Sequence, residues 1–102
     1  MELTKWTPTT DLLMLRRMGK TGEEAAELLV VTNRCIIQGI DEIDLGTGKV
    51  NRARLQDELA DVQAQIGCTV SALGLDQEYM ARRTAEKIRQ MNEWEAMFGT
   101  DA

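Results

Sequence analysis

The chain contains no histidine. That absence removes imidazole general acid–base catalysis and every Ser-His or Cys-His nucleophile system. It also removes the usual catalytic zinc sites and the di-iron bundle, which draws a Glu-x-x-His pair from each of two helices. Any metal chemistry left must run on oxygen ligands, which suit Mg2+, Mn2+ or Ca2+. There is one proline, Pro8, and only 4% of the residues are aromatic, a composition that favours helix over sheet. No apolar run approaches the ~18 residues needed to span a bilayer. The segment Met1 to Trp6 has no signal-peptide core, so the expected location is the cytoplasm, with no membrane partner. Basic residues are outnumbered 12 to 17, giving a net charge of −5. This argues against a nucleic-acid partner, because duplex binding needs a basic face. It does not argue against a phosphorylated small molecule, since a bound divalent cation reverses the local sign. The two cysteines, Cys35 and Cys68, form no CxxC pair and sit inside apolar helical patterns, where they read as buried free thiols.

What is present is 43% hydrophobic and 28% charged residues over 102 positions, which reads as one soluble domain spanning residues 1–102. A domain of this size buries a modest fraction of its surface, so its stability can lean on an oligomer interface. An extended lead-in runs through Pro8. Thr9, Thr10 and Asp11 then offer caps for a short first helix ending near Gly19, with Leu12, Leu13, Leu15 and Met18 on its apolar side. Thr21 and Glu24 have capping-box spacing and open a second helix that ends at Gly39. Its apolar positions are Ala25, Leu28, Leu29, Thr32 and Ile36. Residues 39–50 read as a long loop, possible helical turn included, and loops of that length are often functional. Asn51 caps a third helix with a seam of Leu55, Leu59, Val62, Ile66, Thr69 or Val70, and Leu73, stopped by Gly74. Asp76 caps a fourth helix that ends near Phe98 and Gly99. The expected fold class is all-α, a four-helix-bundle-like protomer with its long loop between helices two and three.

Two segments carry the chemistry. In Glu23-Glu24-Ala25-Ala26-Glu27-Leu28 and in Asp57-Glu58-Leu59-Ala60-Asp61-Val62, a Glu is followed three residues later by a second carboxylate. Residues i and i+3 share a helix face, close enough to converge on one ion. At ~100° per residue, Glu58 and Asp61 lie roughly 60° and 120° from Leu55, beside the seam. Glu24 and Glu27 lie roughly 100° and 160° from Ala25, which makes Glu27 the acid expected to be peripheral. Clustered carboxylates repel one another, and a hard cation with several exchangeable positions relieves the repulsion while leaving room for phosphate oxygens. The competing reading is ordinary: Glu24 completes a capping box, and Glu58 and Asp61 are solvated surface acids.

These segments, Gly22 to Leu28 and Asp57 to Val62, resemble the paired motifs of the MazG-like, all-α nucleoside triphosphate pyrophosphatases. That superfamily also includes dimeric dUTPases and phosphoribosyl-ATP pyrophosphatases. Its Glu-x-x-Glu, spacer, Glu-x-x-Asp signature falls on Glu24, Glu27, Glu58 and Asp61, and the resemblance covers roughly residues 12 to 95. It implies a helical bundle that assembles into a homodimer or homotetramer. It implies Mg2+-dependent hydrolysis (with Mn2+ a possible substitute) of a nucleoside triphosphate to the monophosphate and pyrophosphate, in the manner of enzymes that clean the nucleotide pool. The four acids would bind the metal, with Glu24 either a ligand or the base that orients the attacking water. The family's phosphate-contacting Lys and Asn on the last helix correspond to Lys87 and Asn92, and Arg83 shares the face of Lys87.

Other residues admit both a functional and a bland reading. Lys49, Arg52 and Arg54 flank the loop and could neutralise a phosphate tail, or simply be surface charge. Trp6 and Trp94 could stack on a base or fill an interface. Asn33 and Arg34 could reach a nucleotide. Gly46-Thr47-Gly48 lacks P-loop spacing and reads as turn chemistry. Asp41, Glu42 and Asp44 lack EF-hand spacing for Ca2+. The alternative to an enzyme is a non-catalytic helical oligomerisation or adaptor module whose acids are surface decoration.

Overall fold

Asp11 sets the start of the first helix in the computed structural model, which describes residues 5–99. Its carboxylate accepts from the Met14 amide at 2.9 Å, satisfying one of the orphan donors of the first turn. Helix α1 then runs without a break from Leu12 to Gln38. The two helices expected on either side of Gly19 are therefore one, and the described residues hold three helices rather than four. The reason lies in Thr21. Its hydroxyl donates to the carbonyl of Arg17, four residues back, at 2.9 Å. That is the bond of a threonine inside a helix, not of a cap. Gly19 and Gly22 are then interior glycines, each costing about 1 kcal/mol of helix propensity relative to alanine, and 27 residues of hydrogen-bonded helix absorb it. Of the lead-in, Met1 to Thr4 lie outside the described residues, and Lys5 to Asp11 form no regular element.

Gly39 ends α1 with φ of 111°, its amide returning to the Cys35 carbonyl at 3.1 Å. The connector that follows is an ordered turn without a helix. Ile43 and Val50 pair across it as an antiparallel bridge. At its tip the Asp44 carboxylate accepts from both the amide and the hydroxyl of Thr47, each at 3.0 Å. Helix α2 spans Asn51–Leu73. Its cap is Val50, not Asn51. Asn51 is instead fully buried, with its side-chain amide donating to Gln38 Oε1 and to the Gly39 carbonyl, each at 3.0 Å. One side chain thus ties the end of α1 to the start of α2.

The pairing of Gln38 with Asn51 at one end, and of Thr21 with Thr69 (2.6 Å between hydroxyls) at the other, makes α1 and α2 an antiparallel hairpin. Val31 is buried between them. Gly74 closes α2 in the left-handed region, φ 62° and ψ 40°, where only glycine sits without strain. Asp76 caps helix α3, Gln77–Ala96, through the Tyr79 amide. Helix α3 makes no packed interface with the hairpin. The radius of gyration is 18.3 Å, against about 13 Å for a compact chain of ~100 residues. Among the described residues no helix is long and apolar enough to cross a membrane.

Candidate metal centre

The hairpin seam determines where the acids go. On α1, the residues that are buried or half-buried at regular spacing are Thr21, Glu24, Leu28, Val31 and Cys35; on α2 they include Asn51, Leu55, Glu58, Val62, Gln65 and Thr69. Both series alternate three and four, the spacing of a packed helical seam. Glu24 and Glu58 are therefore members of the seam itself. The wheel centred on Ala25 was offset, because it followed the apolar residues Leu29 and Ile36, which are 62% and 77% exposed.

Glu24, Glu27 and Glu58 each present a carboxylate oxygen, and these oxygens lie within 4.8 Å of one another. Glu27, expected at the periphery, is in this trio. Asp61 is the acid outside it, exposed on α2, although its charge still reaches both Glu24 and Glu58. Burial is the main cause that pushes the Glu24 carboxyl above its ordinary range; Glu27 and Asp61 add to it, and Lys20 opposes it. Glu58 is raised in the same way, by burial first and then by Glu27 and Asp61, with Arg54 opposing. One oxygen of each, Oε2 of Glu24 and Oε2 of Glu58, is buried without a hydrogen-bond donor. Two orphaned carboxylate oxygens beside a third carboxylate are an acceptor-only donor set of the kind a hard divalent cation takes.

Gln65 was missing from the sequence reading. It lies four residues beyond Asp61 on α2, and its Oε1 is buried without a partner. The signal for it was the polar residue at a seam position, which is visible only once Glu58 is placed on the seam.

Other expected residues are not gathered here. Lys49, Arg52 and Arg54 pair locally, with Asp57 at 3.9 Å, Asp41 at 2.8 Å and Asp44 at 3.6 Å. Arg83 and Lys87 line a groove of about 300 Å³ with Met80 and Thr84 on α3. Since α3 stands off the hairpin, Arg83, Lys87 and Asn92 are not assembled with the acids inside one protomer. Asn33 and Arg34 are exposed on α1. Trp6 is 84% exposed, and Trp94 packs edge-on against Phe98 with ring centroids 5.1 Å apart. Cys35 is half-buried, its thiol directed at the Asn51 carbonyl at 3.7 Å, but Cys68 is exposed, contrary to expectation. Its position in the heptad pattern falls off the seam.

Fold and site together define an all-α chain with a carboxylate cluster set into the seam of a helical hairpin. Comparison with protein-family models, with curated proteins and with solved structures finds no match for the chain.

Proposed function

We propose that the chain is a MazG-like nucleotide pyrophosphohydrolase, Mg2+-dependent, that converts a nucleoside triphosphate to the monophosphate and pyrophosphate. The observation that supports this reading most is the convergence of Glu24, Glu27 and Glu58 with two buried, donor-free oxygens. Mg2+, or Mn2+ in its place, would be held by these three with Asp61 alongside, and would supply charge neutralisation and polarisation of the phosphoryl oxygens. Glu24 takes the proton of the attacking water, a role suited by a carboxyl that burial raises above its ordinary range and so makes a stronger base. The water oxygen bonds the α-phosphorus, the bond to the β-phosphate oxygen breaks, and pyrophosphate leaves with the electron pair. Glu58 fixes the geometry from the opposite helix, so that the reacting centre is set between two rigid elements.

The active form in this proposal is a homodimer or homotetramer. Its support is the outward face of the protomer. Leu59 and Ile66 on α2, and Tyr79, Ile88, Met91 and Trp94 on α3, are 43–56% exposed, while the packed seam carries Glu24, Glu58 and Gln65. Large apolar residues left exposed while carboxylates and an amide occupy part of the packed seam call for a partner surface.

Pyrophosphate release from a panel of nucleotides, with Mg2+ and with chelator, tests the enzyme. Turnover of at least one nucleotide only with Mg2+ is expected. Glu58→Ala should lose at least a hundredfold of it while its circular dichroism stays helical; full activity in that variant would sink the site. The exposed apolar stripes equally favour an adaptor module. No turnover across the panel, together with no rise in melting temperature with Mg2+ and nucleotide, would leave the adaptor as the reading, since a native-state ligand must stabilise.

A further inference from the structure

One cationic concavity is not used by the proposal above. Leu13, Arg16, Arg17 and Lys20 line a hollow of about 390 Å³ on the N-terminal half of α1. Their spacing, i, i+3, i+4 and i+7, puts them on one side of the helix. Among the described residues, no acid lines the hollow with them. Among the described residues, Arg16 and Arg17 have no salt bridge, whereas Lys20 lies 3.4 Å from Glu23 and 3.9 Å from Glu24. Arg17 also holds its Nε buried and without an acceptor. A buried N–H without a partner is as unfavourable as a broken hydrogen bond, so the Arg17 guanidinium keeps unused hydrogen-bonding capacity beside the hollow.

The hollow is contiguous with the acid cluster. Arg17 and Glu24 are seven residues apart, two turns and about 10 Å along the axis, on nearly the same stripe. Lys20 lies between them and already faces Glu24. The loop cations are engaged with Asp41, Asp44 and Asp57, and the α3 cations stand off the hairpin. On the N-terminal half of α1 this leaves Arg16 and Arg17 to meet negative charge that extends beyond the acids, with Lys20 shared with Glu23 and Glu24.

We infer that Arg16, Arg17 and Lys20 form an oligophosphate-tail subsite, which holds the phosphates distal to the reacting one and selects for triphosphates over shorter tails. This deepens, and rests on, the pyrophosphohydrolase reading. Guanidinium groups bind phosphate oxygens in a bidentate fork, while Lys20 contributes a point charge beside the acids. The subsite recognises tail length and charge and is indifferent to the base.

Calorimetric titration of inorganic triphosphate into the full chain with Mg2+ tests it directly. Wild type should bind triphosphate more tightly than orthophosphate. Arg17→Ala and Arg16→Ala should each weaken triphosphate about tenfold or more, the scale of one charge-assisted contact. Arg17→Lys should recover part of the loss. Arg82→Ala, which removes one positive charge from α3, should match wild type and so control for net charge. Arg16 is exposed, so its variant keeps the test sound if Arg17→Ala misfolds. With a hydrolysed nucleotide, the Arg17→Ala loss should appear in KM more than in kcat, and more for triphosphate than diphosphate. No binding of triphosphate to wild type, or binding within twofold in both arginine variants, overturns the subsite. Arginine-dependent triphosphate binding with no nucleotide hydrolysed keeps the subsite and discards the pyrophosphohydrolase. Hydrolysis with KM unchanged in both arginine variants does the reverse.

Discussion

At the scale of single residues, the seam of the hairpin holds groups that would be better solvated or better paired, and their cost should be measurable. Glu58 has its carboxyl raised above the ordinary value of 4.5, by burial first. A carboxyl whose folded value is raised favours the protonated native state. Its stability contribution is therefore full below about pH 4.5 and is lost as pH rises through the raised value. Replacing it with the neutral isostere removes that loss. In chelator, Glu58→Gln should melt above wild type at pH 7, and the gap should close as the pH falls toward 4.5. In Mg2+ the order should reverse, because only wild type gains the ion. A gap independent of pH would show that Glu58 titrates as an ordinary surface acid. Asn51 sits at the opposite extreme: fully buried, with both amide donor bonds made and its oxygen accepting from Arg54 at 3.3 Å. Asn51→Ala leaves Gln38 Oε1 without its donor and the Gly39 carbonyl with the Glu42 amide alone, at a cost of about 1–3 kcal/mol. Urea denaturation should register that loss, and a change under ~0.5 kcal/mol would mean that water replaces the amide.

At the scale of elements, the continuity of α1 is the most consequential departure from the sequence reading. Gly19, Thr21, Gly22 and Glu24 look like a helix stop followed by a helix start, and local signals of this kind are often right. Here the hydrogen bonds of Thr21 to Arg17 and to Thr69 hold the segment helical against α2. A continuous helix makes a specific prediction. A Cβ added at Gly22 would meet nothing within 4 Å, so Gly22→Ala should stabilise the protein by roughly 0.5–1 kcal/mol. A break at this position would instead make the alanine neutral or harmful, and the sign of the change in melting temperature distinguishes the two. The connector is the second element to gain definition. Asp44 accepts from Thr47 and Gln38, which holds its carboxyl below its ordinary range, with the Thr47 hydrogen bond the largest cause. A stretch read as a loop is thus a braced turn that fixes how α2 enters antiparallel to α1.

At the scale of the whole molecule, the chain has little interior. Val31 and Asn51 are the buried residues among the described ones. A 20-residue helix such as α3 is marginal in water without tertiary packing. Folding and assembly should therefore be coupled. The melting temperature should rise by several degrees over a hundredfold increase in protein concentration, and light scattering should give a mass at least twice 11.4 kDa. A monomeric mass with a melting temperature independent of concentration would refute the oligomer.

Much of this was determined by the sequence alone. The missing histidines excluded imidazole chemistry. The three-and-four spacing located α2, and Asp76 and Gly74 located the turn into α3, because caps and periodicity are local properties. The two Glu-x-x-acid segments named Glu24, Glu27 and Glu58, whose carboxylates the structure brings within 4.8 Å of one another, together with Asp61, which lies outside that trio. Tertiary structure decided which face of each helix packs, and hence which acids meet. Of the apolar series on α1 around Ala25, Leu28 lies on the seam, but Ala25, Leu29 and Ile36 lie on exposed surface, so hydrophobicity alone did not locate the hairpin seam. It took the pairing of Thr21 with Thr69 and of Gln38 with Asn51 to set the register. That register brings Glu27 into the cluster with Glu24 and Glu58, leaves Asp61 beside it, and turns a histidine-free helical hairpin into a candidate metal centre.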